Sequence, residues 1–284
     1  MRGRIMVRQA ALVVCILLAG PVRAQEKDAE PIESLKPPSW EIAPEISRFT
    51  YKEPGVMKDE GTFYGIVGSY TRRRLRAGDP TRSDIDGNDP ISWSTLKIEG
   101  RLSFGEVDYD GSYMDGTPLR MSGIDDFLLD IRLMGGREWQ PATFFNAFYA
   151  GLGYRYLNDD SSSEPGGYLR ESNYLYVPLG SRADFELTDA WSLGLMGELD
   201  VLLIGRQISH LDDAGLDGPE VKNWQWPGFG VRGAVALRHK SQSLDFAVSP
   251  FVRYWWVAES DASQGYYEPE NSTLEYGLSV IFRF

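Results

Sequence analysis

Two short acidic motifs hold the side chains best suited to polar chemistry. Asp108-Tyr109-Asp110 sets two carboxylates two positions apart, and His210-Leu211-Asp212 sets an imidazole and an acid at the same spacing. Carboxylates and an acid-oriented imidazole are the groups that exchange protons near neutral pH, if they converge on one reacting atom. The plain reading stands beside this one: DYDG is also an ordinary turn, and a histidine among acids is commonly just solvated. A Ser–His hydrolase needs an imidazole near an activated serine. Ser209 adjoins His210 in sequence rather than standing across from it, and His239 is expected in a turn. No GxSxG, phosphate-binding P-loop or HExxH pattern occurs.

Further acids gather in three stretches: Asp159, Asp160 and Glu164; Asp212, Asp213, Asp217 and Glu220; Glu259, Asp261, Glu268 and Glu270. Clustered carboxylates can hold calcium or magnesium. DDSSSEPGG, however, lacks the EF-hand pattern, and charge runs are usually a hydrated surface. No metal site and no cofactor is assigned.

The elements that must position these residues alternate with a period of two. Ten candidate strands cover approximately 40–51, 62–73, 94–106, 126–136, 143–157, 173–187, 190–207, 228–239, 243–257 and 273–284. In the ninth, Leu244, Phe246, Val248, Val252, Tyr254 and Trp256 share one face, opposite Asp245, Ala247, Ser249, Arg253 and Trp255. The final stretch, ENSTLEYGLSVIFRF, alternates the same way down to Phe284. Strands so patterned, joined by short turns at one end and long Gly-, Asp- and Ser-rich loops at the other, are the mark of a spanning β-barrel. The 74–93 connection breaks the rule, being long where a short turn is expected, and is read as an insertion at the turn side.

Trp40, Trp93, Trp139 and Trp191 fall at strand ends on the turn side, and Trp224, Trp226, Trp255 and Trp256 near the loop side. Two such groups are expected as aromatic belts at the two lipid–water boundaries.

Residues 1–24 open on three arginines, continue through AALVVCILLAG and close on Val22-Arg23-Ala24, the organisation of a cleaved secretory signal. Cys15, the only cysteine, lies inside that segment, so the exported chain has no disulfide, thiolate nucleophile or cysteine metal site. Of the 29 basic residues the segment takes four, leaving 25 against 41 acidic ones, a net charge of about −16. Nucleic acid is excluded as a partner, since phosphate binding needs a basic footprint. Residues 25–39 are charged, Pro-containing and aperiodic, a flexible leader. Residues 40–284 form the barrel.

Glu275, Gly277, Val280, Phe282 and Phe284 resemble the C-terminal insertion signal of Gram-negative outer-membrane β-barrels. FGEVDYDGS, YAGLGYRYLNDD, ESNYLYVPLG, DAWSLGLMGELD, SPFVRYW and YEPENSTLEYGL are similar to a poorly characterised group of such proteins. The resemblance implies an all-β, closed antiparallel transmembrane barrel in the cell outer membrane. Its implied partners are outer-membrane lipid, lipopolysaccharide and the barrel assembly machinery. There is also a distant topological resemblance to the ten-stranded omptin proteases, where a water between an Asp pair and an Asp–His pair attacks the peptide. Asp108 and Asp110 match the D-x-D spacing. His210 and Asp212 depart from the family's D-x-H order, with Ile at position 208.

Strand parity aims Glu99, Asp130, Asp184, Glu198 and Asp200 inward, together with Arg101, Arg132, Arg182, Arg232 and Arg253. Glu41, Glu45, Lys97, Arg155, Arg206 and Asp245 are expected on the same face. Ten strands enclose a tube little wider than the eight-stranded barrels that side chains fill, and charges in it should pair. The Arg72, Arg73, Arg74 and Arg76 cluster is expected to face anionic headgroups. Three functions follow: a non-enzymatic structural or surface-binding barrel with a salt-bridged lumen, an omptin-like protease on Asp108, Asp110, His210 and Asp212, or a narrow solute channel.

Overall fold

The computed structural model describes residues 39–75, 91–113, 115–140, 144–215, 220–241 and 244–284. The expected signal segment, the leader up to residue 38, and Arg76 with residues 77–90 of the 74–93 connection lie outside them. The strands are β1 (Ser39–Glu53), β2 (Met57–Leu75), β3 (Ile91–Ser112), β4 (Pro118–Gln140), β5 (Phe144–Asp160), β6 (Leu169–Glu186), β7 (Trp191–Ser209), β8 (Val221–Gln225), β9 (Gly228–His239), β10 (Asp245–Val257) and β11 (Asn271–Arg283). All pairings are antiparallel, and β1 pairs with both β2 and β11, so the sheet closes on itself. Closure leaves no strand edge to satisfy in lipid.

β8 and β9 lie end to end against β7, with Gln225 opposite Gly205 and Phe229 opposite Val201. They are two pieces of one stave, interrupted at Trp226-Pro227, where proline has no N–H to donate to the ladder. The barrel thus has ten staves. At the seam, the Trp40 and Phe284 backbones exchange hydrogen bonds of 3.2 and 3.0 Å. A Cβ on Gly277 would stand 2.1 Å from the Ile46 carbonyl oxygen, so β11 meets β1 this closely only with glycine there.

The outer wall is apolar around the ring: Ile46, Ile66, Ile98, Leu133, Leu152, Leu179, Val235 and Leu278 are all exposed. So continuous an apolar surface suits lipid rather than water. The inner wall carries the charged and small polar residues. Near the loop end it also holds two apolar clusters. Phe49, Tyr51, Met57, Phe63, Val107 and Leu128 build the larger one, and Tyr174, Tyr176, Leu202, Trp255 and Val257 the smaller.

Several expectations need correction. Residues 107–125 are not a long loop: β3 and β4 continue as a hairpin whose connection is only 113–117. Val107, Met121 and Ile124 are buried on its inner face, while Glu106, Asp108 and Asp125 are exposed on the outer, so the alternation runs on through the acids. Trp93 and Trp255 do not join the aromatic belts, since both are buried inside the barrel. The other six tryptophans do not share this inward burial. Trp40 packs against Tyr70 and Trp139 against Phe148 on the outside, at centroid separations of 4.7 and 5.1 Å. The arginine cluster splits: Arg72 and Arg74 are exposed, whereas Arg73 turns inward to Glu138 (2.6 Å) and Ser39 (2.8 Å).

Candidate functional site

The rim residues do not assemble. Asp108 and Asp110 flank Tyr109, which packs against the larger inner cluster, so both carboxylates face outward. Asp110 makes an exposed contact of 3.5 Å with Arg120. His210 follows the last residue of β7, where its backbone N–H donates to the Leu169 carbonyl (3.0 Å). Its imidazole Nε2 lies 3.1 Å from Glu171, on the outward face of β6, and Glu171 also accepts from the Tyr156 hydroxyl. Asp212 is exposed in the following turn and is not the acid that orients the ring. β4 and β5 separate β3 from β6. Three strand spacings of ~4.8 Å put Asp108 about 14 Å around the wall from Glu171, far beyond the reach of one shared water. Glu171 was missed in the sequence because nothing local marks it as the partner of a residue on the next strand.

The lumen is where the charges do come together: of the sixteen charges parity aims inward, Glu99, Asp130, Asp184, Glu198, Asp200, Arg101, Arg132, Arg182, Arg232 and Arg253 are ion-paired there, as are Glu41, Glu45 and Lys97. Arg232 sits at the centre. Its Nε donates to Asp200 (2.7 Å) and lies 3.1 Å from Glu198; its Nη2 donates to Asp130 (2.8 Å) and to the Tyr176 hydroxyl (2.7 Å). Tyr176 completes the loop by donating to the other Asp130 oxygen (2.6 Å). Arg132 bridges Glu198 to Glu99, which also holds Lys97 (2.7 Å). A second knot lies against the seam: Arg101 binds Glu45 and Glu275, and Arg253 binds the same two acids at 2.9 and 3.1 Å. Arg182 pairs with Asp184 (2.8 Å) nearer the terminal end.

Glycine makes part of this network possible. A Cβ on Gly153 would stand 2.2 Å from the Tyr176 ring, so the bare backbone of β5 leaves the ring room to reach Asp130. Arg155 lies over the Tyr174 and Trp255 rings at 5.7 and 5.9 Å instead of pairing with an acid.

Arg206 is a correction. The register of β6 with β7 passes from Ile204 to Leu202, leaving Leu203 as an extra residue. One inserted residue reverses the faces beyond it. Gln207 and Ser209 therefore point inward, and Arg206 points outward over the Trp224 ring at 5.8 Å.

A third group, unforeseen in the sequence, closes the loop end. Arg170 is buried among Glu53 (2.8 Å), Asp59 (3.2 Å) and Asp159 (2.9 Å from Nε), with its guanidinium over the Tyr51 ring at 5.3 Å. Glu268 accepts from the Tyr51 hydroxyl (3.3 Å) and is buried as well. Burial, with the Glu53 charge beside it, pushes its carboxyl up to about 8. Asp159 and Glu268 were expected on the hydrated rim, but both point inward. Continued alternation through Asp159 and Asp160 was the signal for the first; the second is placed by a loop fold with no period. Among the described residues, no group of three or more His, Cys, Asp or Glu is arranged to hold a metal ion.

A closed ten-stave antiparallel sheet, apolar outside and charged within, is the fold of outer-membrane β-barrels. The outer membrane protease OmpT of Escherichia coli is similar at a TM-score of 0.54 and 12% identity, over 87% of this chain and 96% of that one. At that identity the likeness is one of fold. Neisserial surface protein A is similar at a TM-score of 0.34 and 11% identity, over 86% of this chain and 97% of that one. The sequence matches no protein-family model and no curated protein.

Proposed function

We propose that this chain is a non-enzymatic barrel of the cell outer membrane, exported by a cleaved signal over residues 1–24 and serving a structural or surface-binding role. The carrying observation is the blocked lumen. Arg232 and Arg132 tie opposite walls together through shared carboxylates, Arg101 and Arg253 tie the staves on either side of the seam, and the apolar clusters fill the barrel above them. In a bilayer of this orientation, with turns and termini in the periplasm, the outward acids Glu60, Glu106, Asp108 and Asp125 face the lipopolysaccharide side. The aromatic rings of Tyr64, Phe104 and Phe127 lie below them. The assembly machinery is the partner expected to read the final strand, with Glu275, Gly277, Val280, Phe282 and Phe284.

The OmpT-like fold alone favours a protease, and the separation of Asp108 and Asp110 from His210 argues against it. Planar-bilayer recordings of the reconstituted protein test the blocked lumen: we expect no conductance steps, and regular steps would restore the channel reading. Incubation with dibasic fluorogenic peptides tests catalysis. Cleavage that is lost on His210→Ala would overturn the non-enzymatic reading.

A further inference from the structure

Below the central ion pairs the lumen opens into a cavity of about 240 Å³ toward the terminal end. Three of the arginines lining it share two carboxylates. Arg283 holds Glu41 through Nε (2.9 Å) and Nη2, and Arg182 holds Asp184 (2.8 Å). Arg238 is left with Glu41 Oε1 at 3.8 Å, outside hydrogen-bond range. Its guanidinium, only 6% exposed, donates no hydrogen bond to any described residue. Its electrostatic neighbours are the like charges of Arg182 and Arg283 as well as the acids Glu41 and Asp184. Asp245, on the same rim, has its Oδ1 taken by the Ser241 backbone N–H (2.9 Å).

Arg238 lines the cavity with two cations beside it and no hydrogen bond to the single carboxylate near it, so its donors are open to an acceptor that enters the cavity. Most of the other lumen arginines have theirs, and Arg155 has two aromatic faces, so Arg238 stands apart. The planar fork of arginine matches the oxygens of phosphate and carboxylate, and several forks around one cavity favour a ligand with several acceptor oxygens. We propose that this chamber binds a small free oxyanion of the phosphate class, held by Arg238 with Arg182 and Arg283. The closed sheet separates the chamber from lipid, so the ligand is a solute rather than a headgroup. The apolar clusters close the loop side, which leaves the terminal rim as its way in among the described residues.

The test is calorimetric titration of the full-length protein, folded in detergent, with inorganic phosphate at constant ionic strength and chloride as the control anion. Saturable binding of one phosphate is expected, weakened at least ten-fold by Arg238→Gln and less by Arg238→Lys. Absence of saturable binding, or equal affinity in Arg238→Gln, overturns the proposal. Should Arg238→Gln not fold, phenylglyoxal labelling of the unmutated protein gives the answer by peptide mass spectrometry. Phosphate, but not chloride, should protect Arg238; equal labelling in both anions overturns the site.

Discussion

Arg232→Gln is the sharpest test of how the lumen is held. The arginine side chain is 5% exposed, and its carboxylate partners Asp130 and Asp200 are 4% and 0% exposed. Glutamine is shorter and neutral, and cannot serve Asp200, Asp130 and Tyr176 together. Arg132 does not fill the gap, because both of its terminal nitrogens already serve Glu99 and Glu198. The variant therefore strands buried carboxylates, and breaking a buried pair from one side costs about 3–5 kcal/mol. The exposed pair Lys240–Glu186, at 2.9 Å with side chains 41% and 59% exposed, supplies the control. Its loss should cost about 1 kcal/mol or less. Urea unfolding in lipid vesicles, followed by tryptophan fluorescence, reads both; Trp255 stands edge-on to Tyr176 at 5.1 Å and reports on the knot. Adding Asp200→Asn removes one stranded charge, so the double variant should recover about 0.5–3 kcal/mol relative to additivity. If Arg232→Gln and Lys240→Gln shift the midpoint equally, or if the double variant is strictly additive, the reasoning about the buried network fails.

Two further perturbations probe the walls and the loop end. Gly153→Ala should displace the Tyr176 ring from Asp130 and destabilise the barrel by about 1–3 kcal/mol, the usual range for overpacking; an unchanged urea midpoint would show that the ring is not confined. Glu268, with its carboxyl pushed up to about 8 against about 4.3 in an unfolded chain, keeps a proton in the folded state that the unfolded state releases. Its contribution to stability therefore falls as pH rises from about 4.5 to about 8. Glu268→Gln should match the unmutated protein at pH 4.5 and exceed it at pH 9 in thermal unfolding, and parallel curves across that range would refute the assignment.

The barrel was legible in the sequence because its governing pattern is local. Alternation shows which residues of a strand share a face, and a lipid-facing wall must be apolar wherever the chain crosses. That is why a closed antiparallel barrel of ten strands could be read without coordinates. The same locality sets the limit. One extra residue at Leu203 reverses the faces and carries Arg206 outside. Continued alternation past Phe104 turns an expected loop into a hairpin and points Asp108 and Asp110 away from the mouth.

Partner choice lay further out of reach. Arg101 meets Glu275 across 174 positions, and Arg170 meets Glu53 across 117, distances over which no pattern in the chain is informative. The amino-acid sequence by itself determined a closed, spanning sheet with charge inside and apolar groups outside, because period and hydropathy are properties of each strand alone. Only the tertiary structure decided which charges neutralise one another, which catalytic-looking residues stand apart, and that Arg238 is left without an acceptor, because those follow from register, curvature and closure across strands distant in the chain.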